Sequence, residues 1–582
     1  MNNKTNLFQR IGFLIKPHIR TIIIVTILSI LINIGEILRP YLIKIVIDDY
    51  LSLGIYQKGA ITIGMIGALY IAIVIVGNIL DFIARASTNM MGEDSMYALR
   101  NKLYKFTQYV NVPFHDRTSS GKLYVRITND VEDISTLFKE VITTILKDIV
   151  LIIAIICIMA AINIKLTLAA LIVIPFVLLA SVIITRIINK LYDYSKSIRT
   201  HLNTFLADSI YGIKLIKIFN RQREKQAECE HLTTKFRNSR LLPSFYEALL
   251  PAIIDLLKYL SIAIIIWICA NKWFGISIDV GLIYVFISYI KQLFEPVTRI
   301  IENVEVVQEA IVSINKIFDI LDQKEYLEDL NSGIKLDEIK GKIEFKNVWF
   351  AYDNENWILK DISFTVNPGE SVALVGKTGS GKTTITNLLN RFYDIQKGEI
   401  LIDGINIKDI NIKSLREKIG LILQEPFIFA RTIKDNIKLN DNIDDIDVEN
   451  AVSMACADNF INSIPGGLEG IAREKGNSYS AGQKQLLAFA RIFAHDPSIF
   501  ILDEATANID TQTEESIQKA IDKISKHKTS IFIAHRLSTI VNVDKILVLD
   551  NGRIIEQGNH NQLVNKNGYY SKLYNSYYES LN

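Results

Sequence analysis

Cysteine is scarce and scattered. The four present, Cys157, Cys229, Cys269 and Cys456, lie far apart with no C-x-x-C spacing, which excludes a disulfide framework and a thiolate zinc site as the basis of the fold. None of the eight histidines forms an H-x-x-x-H pair, so metal chemistry is left to whatever ion accompanies a bound nucleotide. A surplus of charge is missing too: 64 Lys and Arg against 62 Asp and Glu give a formal net charge of +2. That balance gives no reason to expect nucleic acid as a partner.

What the chain has in abundance is apolar length. Its 582 residues exceed what one hydrophobic core organises. Hydrophobic residues make up 49% and mean hydropathy is +0.23, with the excess concentrated before about residue 300. Crossing about 30 Å of hydrocarbon takes roughly 20 apolar residues, and six such stretches begin near Thr21, Gly59, Glu140, Leu166, Glu247 and Gly281. The first follows Lys16 and Arg20 but has no small-residue cleavage site, and further spans come after it, so it reads as retained rather than as a signal peptide.

The connections alternate in length. Residues 85–138 and 187–245 are long, polar and basic, whereas 51–58, 163–165 and 271–279 are short. Basic loops favour the cytoplasm, which places the long connections and both termini there. Few Gly or Pro interrupt the long connections, and helical periodicity in IRTHLNTFLADSIYGIKLIKIFNRQREKQAE predicts spans extended by helices.

Ionisable residues in or beside the spans are Glu36, Asp81, Asp148, Asp255, Lys258, Lys291 and Glu295. Intramembrane charge is costly and points to a site. Against that, Glu36 with Arg39, Asp255 with Lys258 and Lys291 with Glu295 stand three or four residues apart, a spacing that predicts mutual neutralisation along one helix.

A polar stretch, QKEYLEDLNSGIKLDEIK, marks a linker over residues 322–340 between a transmembrane region at 1–321 and a second domain at 341–582. KIEFKNVWFAY and ILKDISFTV alternate like strands before a turn at Asn367-Pro368-Gly369. The buried-strand run SVALV then leads into GKTGSGKT and the helical TITNLLNRFY. This is G-x-x-x-x-G-K-[ST] with a strand before it and a helix after it, the context that makes it a phosphate loop. Gly376, Thr378, Gly379, Ser380 and Gly381 let backbone N–H groups approach phosphate, Lys382 reaches the β and γ phosphates, and Thr383 and Thr384 open the helix, Thr383 as a Mg²⁺ ligand.

More than a hundred residues later SIFILDEATANID ends an apolar strand on Asp503 and Glu504. In phosphate-loop enzymes the first acid holds Mg²⁺ and a second polarises the attacking water; paired acids after a strand also occur in solvated turns. TSIFIAH ends a further strand at His535, a candidate γ-phosphate sensor.

With SYSAGQKQLLAFARIF ahead of the acidic strand, the chain resembles the ATP-binding cassette (ABC) superfamily. Residues 479–483 are similar to its LSGGQ signature, and six spans followed by one cassette resemble a half-size exporter of the bacterial multidrug and lipid class. The fold this implies is an α-helical membrane bundle joined to an α/β phosphate-loop ATPase. The resemblance makes Tyr352 the aromatic that stacks on adenine, Gln424 a loop residue touching Mg²⁺ and attacking water, Glu504 the general base and His535 the switch histidine. It assigns Asp510 to the loop crossing the cassette interface, Glu474 to an acidic segment touching the transport domain, and coupling helices to about 114–122 and 207–219.

Ser480, Gly482 and Gln483 stand at the N-terminus of the helix KQLLAFARIF, a second anion-facing helix end, which in the family closes on ATP held by the partner's phosphate loop. Ala481 replaces a glycine and Tyr479 a leucine; an added methyl strains the backbone if φ there is positive. The resemblance implies an ATP- and Mg²⁺-dependent membrane translocase in the cell membrane, multi-pass, with its ATPase domain cytoplasmic. It exports a drug, lipid or peptide and pairs with a second copy or a sister subunit. The stretch 476–510 looks most like the competent halves of heterodimeric multidrug exporters. An ATP-gated channel or regulator, and an importer on the same architecture, stay open as alternatives.

Overall fold

The computed structural model describes residues 7–51, 56–271, 280–323, 328–330, 332–353, 356–439, 441–472, 479–503, 510–533 and 540–579. They divide into two units: Met1–Gln108 with Ser119–Lys324, and Tyr109–Thr118 with Glu325–Asn582.

The first unit is helical. Among the described residues, six helical segments have the length and hydropathy to cross a membrane: Gln9–Asp49, Ile63–Tyr109, Ser120–Ile162, Ile164–Tyr211, Gln222–Ala270 and Val280–Leu321. The continuous helix Tyr56–Tyr109 has 54 residues and runs about 80 Å at 1.5 Å per residue, far beyond a bilayer core. The long connections are therefore largely helix, as their periodicity predicts. On the sixth span Val285, Phe286, Tyr289, Ile290 and Leu293 are all fully buried, a stripe of helical spacing. They pack with Ile37, Leu151, Ile155 and Met159. Because lipid offers no hydrogen bonds, polar groups inside must find protein partners: Tyr289 donates its hydroxyl to the Ile37 carbonyl at 2.9 Å and Asn33 donates to the Lys147 carbonyl at 3.0 Å. On the first span Ile23, Ile24, Ile27, Leu31 and Ile34 stay exposed, an apolar face suited to acyl chains.

Charge pairing within the spans differs from the sequence expectation. Asp255 and Lys258 do pair, at 2.5 Å. Glu36 instead meets Lys147 of the third span, at 3.5 Å, and Glu295 meets Arg299 at 3.9 Å. For Glu36 bundle packing brings a cation from another helix closer than Arg39, which one-helix arithmetic cannot foresee, whereas Glu295 takes the later i,i+4 neighbour on its own helix in place of Lys291. Asp148, 1% exposed, is clasped by Arg299 through two hydrogen bonds of 2.7 and 3.0 Å, the bidentate geometry of an Arg–carboxylate pair.

The second unit is built on two sheets. In the smaller, antiparallel sheet the order is β2-β1-β4-β5, with β1 Ile343–Phe350, β2 Leu359–Val366, β4 Lys397–Ile402 and β5 Ile405–Asn406. The larger has order β10-β9-β3-β8-β7-β6, from β3 Ser371–Val375, β6 Ile419–Ile422, β7 Ile499–Asp503, β8 Thr529–Ile533, β9 Lys545–Asp550 and β10 Arg553–Gly558. Strands β9, β3, β8, β7 and β6 run parallel. Every residue of β3 is buried, because a parallel sheet is covered on both faces. Alternate residues serve opposite faces: Ala373 and Val375 join one core, Val372 and Leu374 the other.

The segment read as a linker is pinned to this unit. Ser414 Oγ accepts from Leu336 N at 2.7 Å and donates to its carbonyl at 3.0 Å, while Arg416 clasps Glu328 with two 2.8 Å bonds.

Candidate nucleotide-binding site

In an open parallel sheet ligands bind beyond the carboxyl ends of the strands. Here those ends carry the predicted chemistry. The phosphate loop follows β3, Asp503 closes β7 and Gln424 comes two residues after β6. Residues 473–478, 504–509 and 534–539 lie outside the described ones, and with them Glu474, Glu504 and His535. The strand ends leading into the last two segments, Asp503 and Ile533, are neighbours in register.

The loop is shaped by its glycines. Gly379 and Gly381 take φ of +82° and +104°, conformations that cost L residues. A side chain at Gly376 would collide with the Leu549 carbonyl, and one at Gly381 would lie 2.6 Å from Leu359 Cδ2. Only this backbone lets the chain turn tightly into the helix Lys382–Leu389. Lys382 is buried, and its ammonium donates to the Gly376 and Lys377 carbonyls at 2.7 and 3.0 Å. Burial lowers its pKa and Asp503 partly restores it, which fits a cation held ready for phosphate oxygens. Ser380 Oγ is buried with no hydrogen-bond partner among the described residues, an orphan that an oxygen ligand would satisfy. Thr378, Gly379 and Thr383 are exposed on the same loop.

Mg²⁺ takes few protein ligands and relies on nucleotide phosphates and water. Among the described residues no group of three acidic, His or Cys residues forms a metal cage, and the residues read as Mg²⁺ ligands, Thr383, Gln424 and Asp503, stand after β3, two residues after β6 and at the end of β7.

Tyr352, 40% exposed, is held edge-on by Phe350 and Tyr393, with ring centroids 4.8 and 4.9 Å away, and its hydroxyl lies 3.2 Å from Thr384 Oγ1. Tyr393 donates its hydroxyl to the Asp116 carboxylate on the short helix Val112–Arg117. Burial, then that carboxylate, pushes the Tyr393 pKa up, keeping the phenol a donor. A second short helix, Ile213–Ile218, falls in the other predicted coupling segment.

The signature helix is Ala481–His495. Ser480 Oγ accepts from Gln483 N at 3.2 Å, and Ser480 N donates to Gln483 Oε1 at 2.9 Å, a reciprocal capping box. Ala481 is in the first helical turn, outside the positive-φ residues, so its methyl brings no strain. Tyr479 packs edge-on against Phe460, centroids 5.4 Å apart. Asp510 caps the helix Thr511–Ser525 by accepting from Thr513 N at 2.9 Å.

The comparisons with known proteins agree with this arrangement. The family model for the ABC transporter transmembrane region matches residues 22–297, and the one for the ABC transporter ATP-binding region matches 359–507. A putative ABC transporter ATP-binding protein, exp8, of Streptococcus pneumoniae is 38% identical over 91% of this chain and 90% of its own. The chain is a member of the ABC transporter family. Other relatives of this exporter include a probable multidrug resistance ABC transporter ATP-binding/permease protein, YheH, of Bacillus subtilis, 36% identical over 82% of this chain and 71% of its own. The solved structure of a bacterial Atm1-family ABC exporter with ATP bound matches with a TM-score of 0.79 and 27% identity over 97% of this chain and 98% of that one. The exporter therefore couples ATP hydrolysis to transport through fused membrane and ATP-binding regions.

Two residues at this site have no signal in the sequence. Asn436, fully buried, accepts from Phe429 N at 2.8 Å and donates to the Phe429 and Thr432 carbonyls at 2.9 and 3.0 Å. Arg491, on the signature helix, donates to the carbonyls of Asn436 at 2.6 Å and Phe427 at 2.8 Å. Burial pulls its pKa down to about 10, leaving it charged. Together they fasten the segment after Gln424 to the helix Ala481–His495. The pairing spans 55 residues, beyond the reach of any local motif.

Proposed function

We propose that this exporter works as one half of a dimer that moves a hydrophobic or amphipathic substrate out of the cell. Each ATP is held between the phosphate loop of one cassette and the signature helix of the other. The observation that carries this reading is the division of phosphate-facing groups between two elements: Lys382 with the orphaned Ser380 hydroxyl on the loop, and the capped N-terminus at Ser480 on a separate helix.

In this reading Gly376, Thr378, Gly379, Ser380, Gly381 and Lys382 wrap the β and γ phosphates, Thr384 and Tyr352 support the adenine side, and Ser480, Gly482 and Gln483 meet the partner's ATP. Thr383, Gln424 and Asp503 would hold Mg²⁺, which when bound would neutralise phosphate charge. Glu504 takes the proton of the attacking water, Gln424 and His535 position water and γ phosphate, and Asp510 anchors the interface loop. The long helical connections and the cassettes are cytoplasmic. Closure of the cassettes reaches the spans through the short helices near 112–117 and 213–218. ATP drives the cycle because it binds the closed state better than the open one. The stretch 476–510 favours a sister subunit as partner over a second copy.

Glu504→Gln tests the reading: the variant binds ATP and accumulates a closed dimer with turnover lost, read by nucleotide occlusion and phosphate release. Phosphate release at the wild-type rate would remove Glu504 from the general-base role.

A further inference from the structure

The first unit contains a cavity of about 690 Å³ walled by parts of the first, second, third and sixth spans. Its polar groups are mostly matched. Asp148 is clasped by Arg299; Lys147 lies 3.5 Å from Glu36 and 3.7 Å from Asp81; Asp81 also holds Arg85 at 2.6 Å. Of the lining carboxylates Glu140 has no ion pair among the described residues, and of the lining cations Arg39 is the exception. Its guanidinium lines the same cavity, its Nε is buried with no hydrogen-bond partner, and no ion pair joins it to a carboxylate among the described residues.

Space is made for that guanidinium. A Cβ at Gly77, on the second span, would lie 3.2 Å from Arg39 Nη2, tighter than ordinary contact, so the bare backbone there admits the head group. Gln292 Oε1, in the same cavity, is also buried without a partner. Arg39 precedes the Ile45 end of its helix by six residues and Gln292 follows the Val280 start of the sixth span by twelve. At 1.5 Å per residue these are about 10 and 20 Å inside the short-connection ends, within a hydrocarbon core of about 30 Å. An unneutralised cation at that depth is costly unless something answers it. The walls also contribute Val25, Ile32 and Leu151.

We propose that Arg39 receives the anionic head of an amphipathic substrate, with Gln292 Oε1 open to a hydroxyl or amide N–H beside that charge and the apolar walls taking its chain. The inference rests on the exporter reading and adds a charge preference: the transported molecule is an anionic amphiphile rather than a cationic one. A guanidinium offers a planar fork that fits carboxylate or phosphate oxygens, which an ammonium does not match.

The test uses the full transporter with whichever partner copurifies, in phosphatidylcholine nanodiscs. ATPase stimulation is measured with dodecyl phosphate, dodecyltrimethylammonium, dodecyl maltoside and inorganic phosphate as probes. Dodecyl phosphate is expected to stimulate at the lowest concentration. Arg39→Gln should raise its half-stimulating concentration about tenfold or more, the loss expected for a charge-assisted hydrogen bond, while leaving the response to dodecyl maltoside in place. Arg39→Lys should fall between. Gly77→Ala, which crowds the guanidinium without removing it, should weaken the dodecyl phosphate response in the same direction, and serves if Arg39→Gln does not assemble.

The proposal is overturned if dodecyltrimethylammonium is as effective as dodecyl phosphate. It is also overturned if Arg39→Gln and Gly77→Ala leave the dodecyl phosphate response unchanged, as they would were a carboxylate of the partner chain neutralising Arg39. Arg39-dependent stimulation by inorganic phosphate at the same concentration would reject the amphiphile and leave a simple anion site. ATP hydrolysis abolished by Glu504→Gln in the same nanodiscs keeps the exporter reading standing whichever way these arms fall.

Discussion

At the scale of single residues, the phosphate loop depends on one buried ammonium aimed at its own backbone. Lys382→Ala removes the cation while leaving the loop's N–H groups, so ATP affinity should fall about tenfold or more, measured by calorimetric titration with Mg²⁺-ATP; unchanged affinity would mean that Lys382 does not contact phosphate. Ala481 offers a finer test. Since it occupies a helical turn, Ala481→Gly should lower the thermal midpoint through loss of helix propensity, at about 1 kcal/mol or less. A rise in the midpoint would reveal a strained, positive-φ backbone instead. The motif residues were legible because phosphate chemistry confines them to one contiguous stretch between a strand and a helix. Arg39 was legible only as a charge. Its expected partner Glu36 pairs with Lys147 of another span, and no pattern along one helix encodes that choice.

Among the secondary-structure elements, the signature helix and the segment after β6 are joined by Asn436 and Arg491. Asn436→Ala leaves one guanidinium nitrogen of Arg491 and the Phe429 backbone groups without their side-chain partner in the interior. The expected cost is about 2–4 kcal/mol, the sum of unsatisfied polar groups and a small cavity, seen as a lowered denaturation midpoint; a loss under 1 kcal/mol would show that water replaces the side chain.

The helix Asp445–Met454 is tied to Ile433–Lys438 through Asp445, whose carboxylate meets Lys434 at 2.6 Å and Lys438 at 2.7 Å. Hydrogen bonds from Lys434 and then Lys438 hold its pKa down to about 2. A depressed folded-state value means that the bridge stabilises above the ordinary carboxylate pKa near 4 and loses that contribution as pH falls towards 2. Melts of wild type and Asp445→Asn should therefore differ at pH 6 and converge near pH 2. A difference that persists at the acid end would assign the effect to something other than this charge.

Elements themselves were the most legible part of the sequence, because spans, strands and loop each answer to a single period or length. The tie through Asn436 and Arg491, and the capping of the signature helix by its own Ser480 and Gln483, depend on three-dimensional neighbours and on local geometry that composition does not fix.

Taken as a whole molecule, six candidate spans among the described residues join one cassette, and the groups proposed to face phosphate stand on two separate elements of that cassette. In the proposed cycle a facing chain supplies the second element to each ATP. Native mass spectrometry of Glu504→Gln, purified from membranes and loaded with ATP and Mg²⁺, measures this directly. An assembly of two half-transporters, identical or sister, retaining two ATP molecules is expected; a single chain that retains ATP by itself would rule out a site shared between chains.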